Sequence, residues 1–132
     1  MKILVVDDET INREMMKGIL SSFGECHTAE NGQSAIKSFQ KALLKKTPYD
    51  LITLDVSMPD IDGTKVLYEI RNTEKIHGIE KDDQVKIIMV TAKADKDTVI
   101  ECIKIGCNDY VTKPLDIKKM NQKLKSIGII QL

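Results

Sequence analysis

The chain has 132 residues, 42% hydrophobic and 30% charged, and its 20 basic and 20 acidic side chains give a formal net charge of +0. That mix excludes a disordered polymer, and the length fits one domain with a core that needs no disulfide or metal staple. Balanced charge gives no general attraction to nucleic acid or anionic membrane, and no apolar run approaches the roughly 20 residues of a bilayer span.

Apolar runs alternate five times with segments of helical period, the signature of βα units around a parallel sheet. Lys2 to Val6 is nearly all apolar, as a strand buried on both faces should be, and it meets acid at Asp7 and Asp8 too soon for a signal peptide. Ile11, Met15, Ile19 and Leu20 then share a helical face, with Thr10 as the expected N-cap and Gly24 as the stop. Glu25 to Ala29 reads as a short, polar second strand. Asn31-Gly32 opens a second helix with Ala35, Ile36, Phe39, Ala42 and Leu43 inside, ended by Pro48.

Asp50 to Asp55 is the third strand, and Ser57 to Gly63 is a loop of turn formers. Val66, Leu67 and Ile70 mark a third helix. Asn72 to Gln84 has no clear period and reads as an exposed loop, long for a helix-to-strand connection. Val85 to Val90 is the fourth strand, the most apolar. Ala94 to Gly106 carries a helix with Val99, Cys102 and Ile103 inside, Asp109 to Thr112 a brief fifth strand stopped by Lys113-Pro114. Asp116 caps a last helix whose inner positions are Ile117, Met120, Leu124 and Ile127. No linker or second domain follows, so residues 1–132 are expected to form a single domain.

Cys26, Cys102 and Cys107 make no CxxC pair and read as free thiols in or near a core, which fits a reducing cytosol. His27 and His77 lack ligand spacing, so zinc is not expected.

The ends of the strands carry the chemistry. A parallel sheet sets the carboxyl ends of its strands along one edge, so Asp7, Asp8, Asp55, Thr91 and Lys113 are expected to converge. Carboxylates about 4 to 5 Å apart repel by roughly 3–4 kcal/mol per ionised pair at an effective dielectric near 20. Protons or a cation must relieve that, and a partly enclosed oxygen cluster suits Mg²⁺, which shares its shell with water and phosphate. Each residue alone has an ordinary explanation. Asp7, Asp8 and Glu9 can cap a helix, Asp55 and Thr91 can satisfy turns, and a lone Lys113 can be a solvated charge. Taken together they favour a site in which Asp55 accepts a phosphoryl group, with Lys113 and the metal neutralising its oxygens and Thr91 donating a hydrogen bond. Ala92 keeps the approach open. The chain has no Walker pattern and no GxGxxG, which argues against a nucleotide-binding machine.

The motifs Val5-Val6-Asp7-Asp8, Asp55 to Gly63, Val90-Thr91-Ala92 and Asp109 to Pro114 resemble, in order and spacing, the response-regulator receiver domains of two-component signalling. The likeness runs over essentially the whole chain. It implies a flavodoxin-like, doubly wound α/β fold with a five-stranded parallel sheet in order 2-1-3-4-5 and five helices. It implies that Asp55 is phosphorylated by a histidine kinase or histidine phosphotransfer protein. Asp8 would be the direct Mg²⁺ ligand, Asp7 would hold the ion largely through water, and the Ser57 backbone carbonyl would be a further ligand. Thr91 and Tyr110 match the switch pair, Lys113 the phosphate-binding lysine, Gly63 the loop glycine, and Lys113-Pro114 a cis bond. Ser57 and Lys93 match positions that tune dephosphorylation. The fourth helix, fifth strand and fifth helix match the signalling surface.

These expectations describe a cytoplasmic, stand-alone receiver that is not an enzyme beyond its own phosphorylation and dephosphorylation, and that signals by binding a protein. A relay intermediate and a receiver excised from a hybrid kinase are alternatives. So is a metal-dependent phosphatase passing through an aspartyl-phosphate, but that chemistry wants a second acid two residues after the nucleophile, where Ser57 stands.

Overall fold

A computed structural model describes residues 1–92 and 96–130. Its elements run β1 (Lys2–Val6), α1 (Thr10–Leu20), β2 (Glu25–Ala29), α2 (Gly32–Leu44), β3 (Leu51–Asp55), α3 (Gly63–Ile76), a 3-10 turn (Lys81–Asp83), β4 (Lys86–Thr91), α4 (Lys96–Ile105), β5 (Asp109–Thr112) and α5 (Ile117–Ser126). The strands form one parallel sheet in the order β2-β1-β3-β4-β5.

Period-two alternation along the strands divides the core in two. Leu4, Val6, Ile52, Leu54, Ile87 and Met89 point to the face covered by α2, α3 and α4. Ile3, Val5, Leu51, Ile88 and Val90 point to the face covered by α1 and α5. The central strands are thus sealed on both sides, which explains their continuous apolar runs.

Several expectations about the helices need correction. In α1 the buried residues are Met16 and Leu20, whereas Ile11 is 75% and Met15 48% exposed. An apolar stripe spaced by four fits two neighbouring rotations of a helix, and packing against Ile3 and Val5 selects the other one. Glu9, not Thr10, is the N-cap, with no side-chain cap bond; Thr10 is already helical. Gly24 is not the helix stop either, since α1 ends at Leu20. It sits where any Cβ would collide with the Met1 carbonyl, which accepts a hydrogen bond from the N–H of Glu25.

The third helix continues well into the stretch read as loop, ending at Ile76. Polar residues fill its buried positions there. The Thr73 hydroxyl donates back to the Glu69 carbonyl, and Glu74, 1% exposed, pairs with Arg71 at 2.6 Å. The other oxygen of Glu74 accepts from the N–H of Val85, and Arg71 also donates to the Gly106 carbonyl and to Asn108. One buried ion pair thereby ties α3, the start of β4 and the α4–β5 turn together. In α4 only Cys102 is buried, and Ile103 faces solvent. Ala94, read as the start of that helix, lies outside the described residues. Ile117 of α5 is exposed, while Met120 and Leu124 are fully buried and Asp116 accepts the capping bond from the Lys119 N–H. All three cysteines are free thiols.

Candidate functional site

The carboxyl ends of β1, β3, β4 and β5 deliver the predicted residues to one edge. Asp55 is the last residue of β3 and is 3% exposed. Beside it lies Asp7, 5% exposed, whose backbone N–H continues the β1–β2 ladder to Ala29 and whose carboxylate accepts from the Glu9 N–H at 2.9 Å. Asp8 follows on the exposed side. Asp7, Asp8 and Asp55 each offer an oxygen, all within 4.8 Å of one another. The Lys113 ammonium stands 3.5 Å from Asp7 Oδ2 and 3.7 Å from Asp55 Oδ2.

Local backbone geometry holds this arrangement. The Val56 N–H donates to the Val90 carbonyl and the Lys113 N–H to the Thr91 carbonyl, so β4 carries the chain ends on both its sides. The Lys113-Pro114 bond is cis, as the resemblance implied. Gly63 donates to the Val56 carbonyl, and a side chain there would overlap the carbonyl of Asp55. A glycine is required at the turn into α3 because the backbone of Asp55 occupies the space.

The electrostatics follow from this geometry. Burial, then the neighbouring Asp7 charge, push the Asp55 carboxyl from 3.8 up to about 6, against the pull of Lys113 and of the Ser57 N–H, which donates to Asp55 Oδ1 at 3.3 Å. Such an acid is strained when ionised, and a cation among the three carboxylates is what the donor set accommodates. Three hard oxygens at this spacing, one of them solvent-facing, fit a divalent ion that keeps part of its water shell.

Thr91 ends β4 half-buried, and Tyr110 lies half-buried in β5. Tyr110 packs against the α2–α3–α4 side of the core. Its ring is covered by the Lys123 ammonium at 5.1 Å, and Lys123 pairs with Asp109 at 3.0 Å. Sequence reading missed the Lys123–Asp109 pair, because no local spacing announces a contact between residues in different elements. The Arg71–Glu74 pair had a signal, an i, i+3 opposite-charge spacing on a helix. Lys93 lies outside the described residues.

A family model for the response regulator receiver domain matches residues 3–125. The chain belongs to that family. This receiver is therefore a signalling domain of two-component type and is CheY-like in architecture. Chemotaxis protein CheY of Listeria monocytogenes is 32% identical over 127 residues, which cover 95% of this chain and 96% of that protein. Among solved structures, a Borrelia burgdorferi CheX–CheY complex with BeF3 and Mg²⁺ matches with TM-score 0.81 and 27% identity, covering 96% of the receiver and 87% of that chain. The co-crystal of Saccharomyces cerevisiae histidine phosphotransfer protein Ypd1 with the Ssk1 receiver domain matches with TM-score 0.80 and 27% identity, covering 95% and 86%. Among the described residues no helix is long and apolar enough to cross a membrane.

Proposed function

We propose that this receiver is a phosphorylation-driven switch that works in the cytoplasm and acts by binding a protein. The observation that carries the reading is a buried Asp55 carboxylate set between two further acids and a lysine ammonium at 3.7 Å. An oxygen of Asp55 attacks the phosphorus of a phosphohistidine on a kinase or phosphotransfer protein. The new O–P bond forms as the P–N bond breaks, and its electron pair leaves on the imidazole. Lys113 pulls the acid toward its ionised, attacking form, and a cation bound beside it would do so further. Lys113, already within reach of Asp55, balances charge on the transferred oxygens. Asp7, Asp8, Asp55 and the Ser57 carbonyl would hold Mg²⁺, which when bound supplies the remaining positive charge. Thr91 donates its hydroxyl to the phosphoryl group, and Tyr110 in the neighbouring strand repacks in response. A group bound at one edge then shifts a population felt at the α4–β5–α5 surface.

The solved complexes of similar receivers with CheX and with the phosphotransfer protein Ypd1 support a reading in which this receiver acts through protein partners. The test is labelling from acetyl phosphate or a phosphorylated kinase. The receiver should take one acid-labile phosphoryl group per chain, and Asp55→Asn or a chelator should abolish uptake. Stoichiometric labelling that survives Asp55→Asn would overturn Asp55 as acceptor, and repeated turnover of phosphate esters would point instead to a phosphatase.

A further inference from the structure

Between α3 and α4 runs an open groove of about 900 Å³ that begins at Asp8 and follows the β3–α3 loop away from the phosphoryl-acceptor edge. Its lining has two chemistries. Met58, the half-exposed Tyr68 ring and Ile105 make an apolar floor and wall. Asp8, Asp62 and Glu101 add three carboxylates. Among the described residues the groove's one cation, Lys65, is engaged by Glu69 at 3.5 Å and lies over the Tyr68 ring at 5.3 Å. Asp62 caps the start of α3 and Glu101 lies on α4, so carboxylates stand on both walls of the groove. Helix capping explains Asp62, whose oxygen accepts from the Lys65 N–H. It does not explain Glu101, which lies mid-helix on the exposed side of α4.

We infer that this groove docks an amphipathic protein segment with apolar anchors and basic side chains. The apolar residues of the segment would cover Tyr68, Met58 and Ile105, and its lysines or arginines would face Asp62 and Glu101. Charge complementarity selects this occupant over an acidic one, because Asp62 and Glu101 repel an incoming carboxylate even when Asp8 is engaged by the ion. Continuity with the Asp8 end places the docked segment beside the acceptor, where a partner could sense or alter the state of Asp55. The inference goes beyond the phosphorylation reading and stands without it, since the groove would bind such a segment even in a chain that took no phosphoryl group.

The experiment titrates the full ¹⁵N-labelled chain in saturating Mg²⁺ with three synthetic helical peptides. One is built of leucine and lysine with one apolar face, one has glutamate for lysine, and one has alanine for leucine. The expected result is saturable binding of the leucine–lysine peptide, with amide shifts confined to the β3–α3 loop, the first turns of α3 and the α4 face around Glu101. The other two peptides should bind at least about tenfold more weakly, as should the leucine–lysine peptide to Glu101→Lys or Tyr68→Ala. Glu80→Lys, a matched charge change away from the groove, should leave affinity unchanged. Both groove variants should keep wild-type melting and Asp55 labelling, which separates failure here from failure of the acceptor assignment. Shifts centred elsewhere, equal binding of the acidic peptide, or indifference to Glu101→Lys would overturn the inference.

Discussion

Asp55→Asn should stabilise the metal-free receiver at neutral pH even as it removes the proposed acceptor. Asp55 is raised from 3.8 to about 6 in the folded chain, chiefly by burial and then by Asp7. A raised carboxyl pKa means that the folded protein keeps its proton to higher pH than the unfolded chain does. The resulting cost is therefore fully present above pH 6, fades as pH falls from about 6 toward 3.8, and vanishes below both values. A rise of that size corresponds to a cost of roughly 3 kcal/mol, at about 1.4 kcal/mol for each tenfold change in proton affinity. Asparagine removes that cost, in which the attraction to Lys113 is already counted, but buries a neutral amide in its place, while Lys113 keeps Asp7 as a partner at 3.5 Å. A net gain of about 1–3 kcal/mol remains, which is about 1 M in urea midpoint for a domain of this size. Urea unfolding followed by circular dichroism, in chelator at about pH 7.5 and again at about pH 4, reads it directly. The gain should shrink at the lower pH, and saturating Mg²⁺ should erase it by stabilising the wild type. A variant no more stable than wild type at pH 7.5 in chelator, or a gain that persists undiminished at pH 4, would refute the electrostatic account.

Glu74→Ala leaves the Arg71 guanidinium and the Val85 N–H without their buried partner, so urea unfolding should show a loss of about 3–5 kcal/mol. Arg71→Met with Glu74→Leu should recover much of it, and a loss under about 1 kcal/mol for Glu74→Ala would contradict the burial argument. Gly63→Ala must displace the Asp55 carbonyl, and it should lose about 1–3 kcal/mol of stability together with phosphoryl uptake. Normal labelling in that variant would show that the acceptor backbone tolerates the displacement. Burial raises the thiol of Cys102 and, most of all, lifts that of Cys107 to about 11, so both should resist Ellman's reagent at neutral pH until the chain unfolds. Rapid labelling of all three cysteines in the native protein would count against this packing.

The sheet was legible because β1, β3 and β4 are buried on both faces and must be apolar almost throughout. The candidate site was legible because Asp7, Asp8, Asp55 and Thr91 stand at the ends of those same strands and Lys113 directly follows β5, so topology alone brings them to one edge. Residues whose environment depends on rotation or on distant partners were not. Ile11 and Met15 satisfy helical periodicity as well as Met16 and Leu20 do, and only the neighbouring sheet decides between them. The last turns of α3 hide a buried ion pair in place of an apolar stripe, so periodicity fades although the helix continues. The α3–α4 groove had no signature, because Asp62 and Glu101 come to line one groove only once two helices pack on either side of it.

With β3 in third place of the order β2-β1-β3-β4-β5, Asp55 stands on a frontier. Toward β1 lie the carboxylates suited to holding a cation; toward β4 and β5 lie the hydroxyl and the aromatic ring, with Lys113 reaching across. In the proposed switch, handling the charge and announcing it therefore occupy opposite flanks of one residue. Descendants of this chain can change the audience by rewriting the β4–β5 flank while the ion-holding half stays as it is.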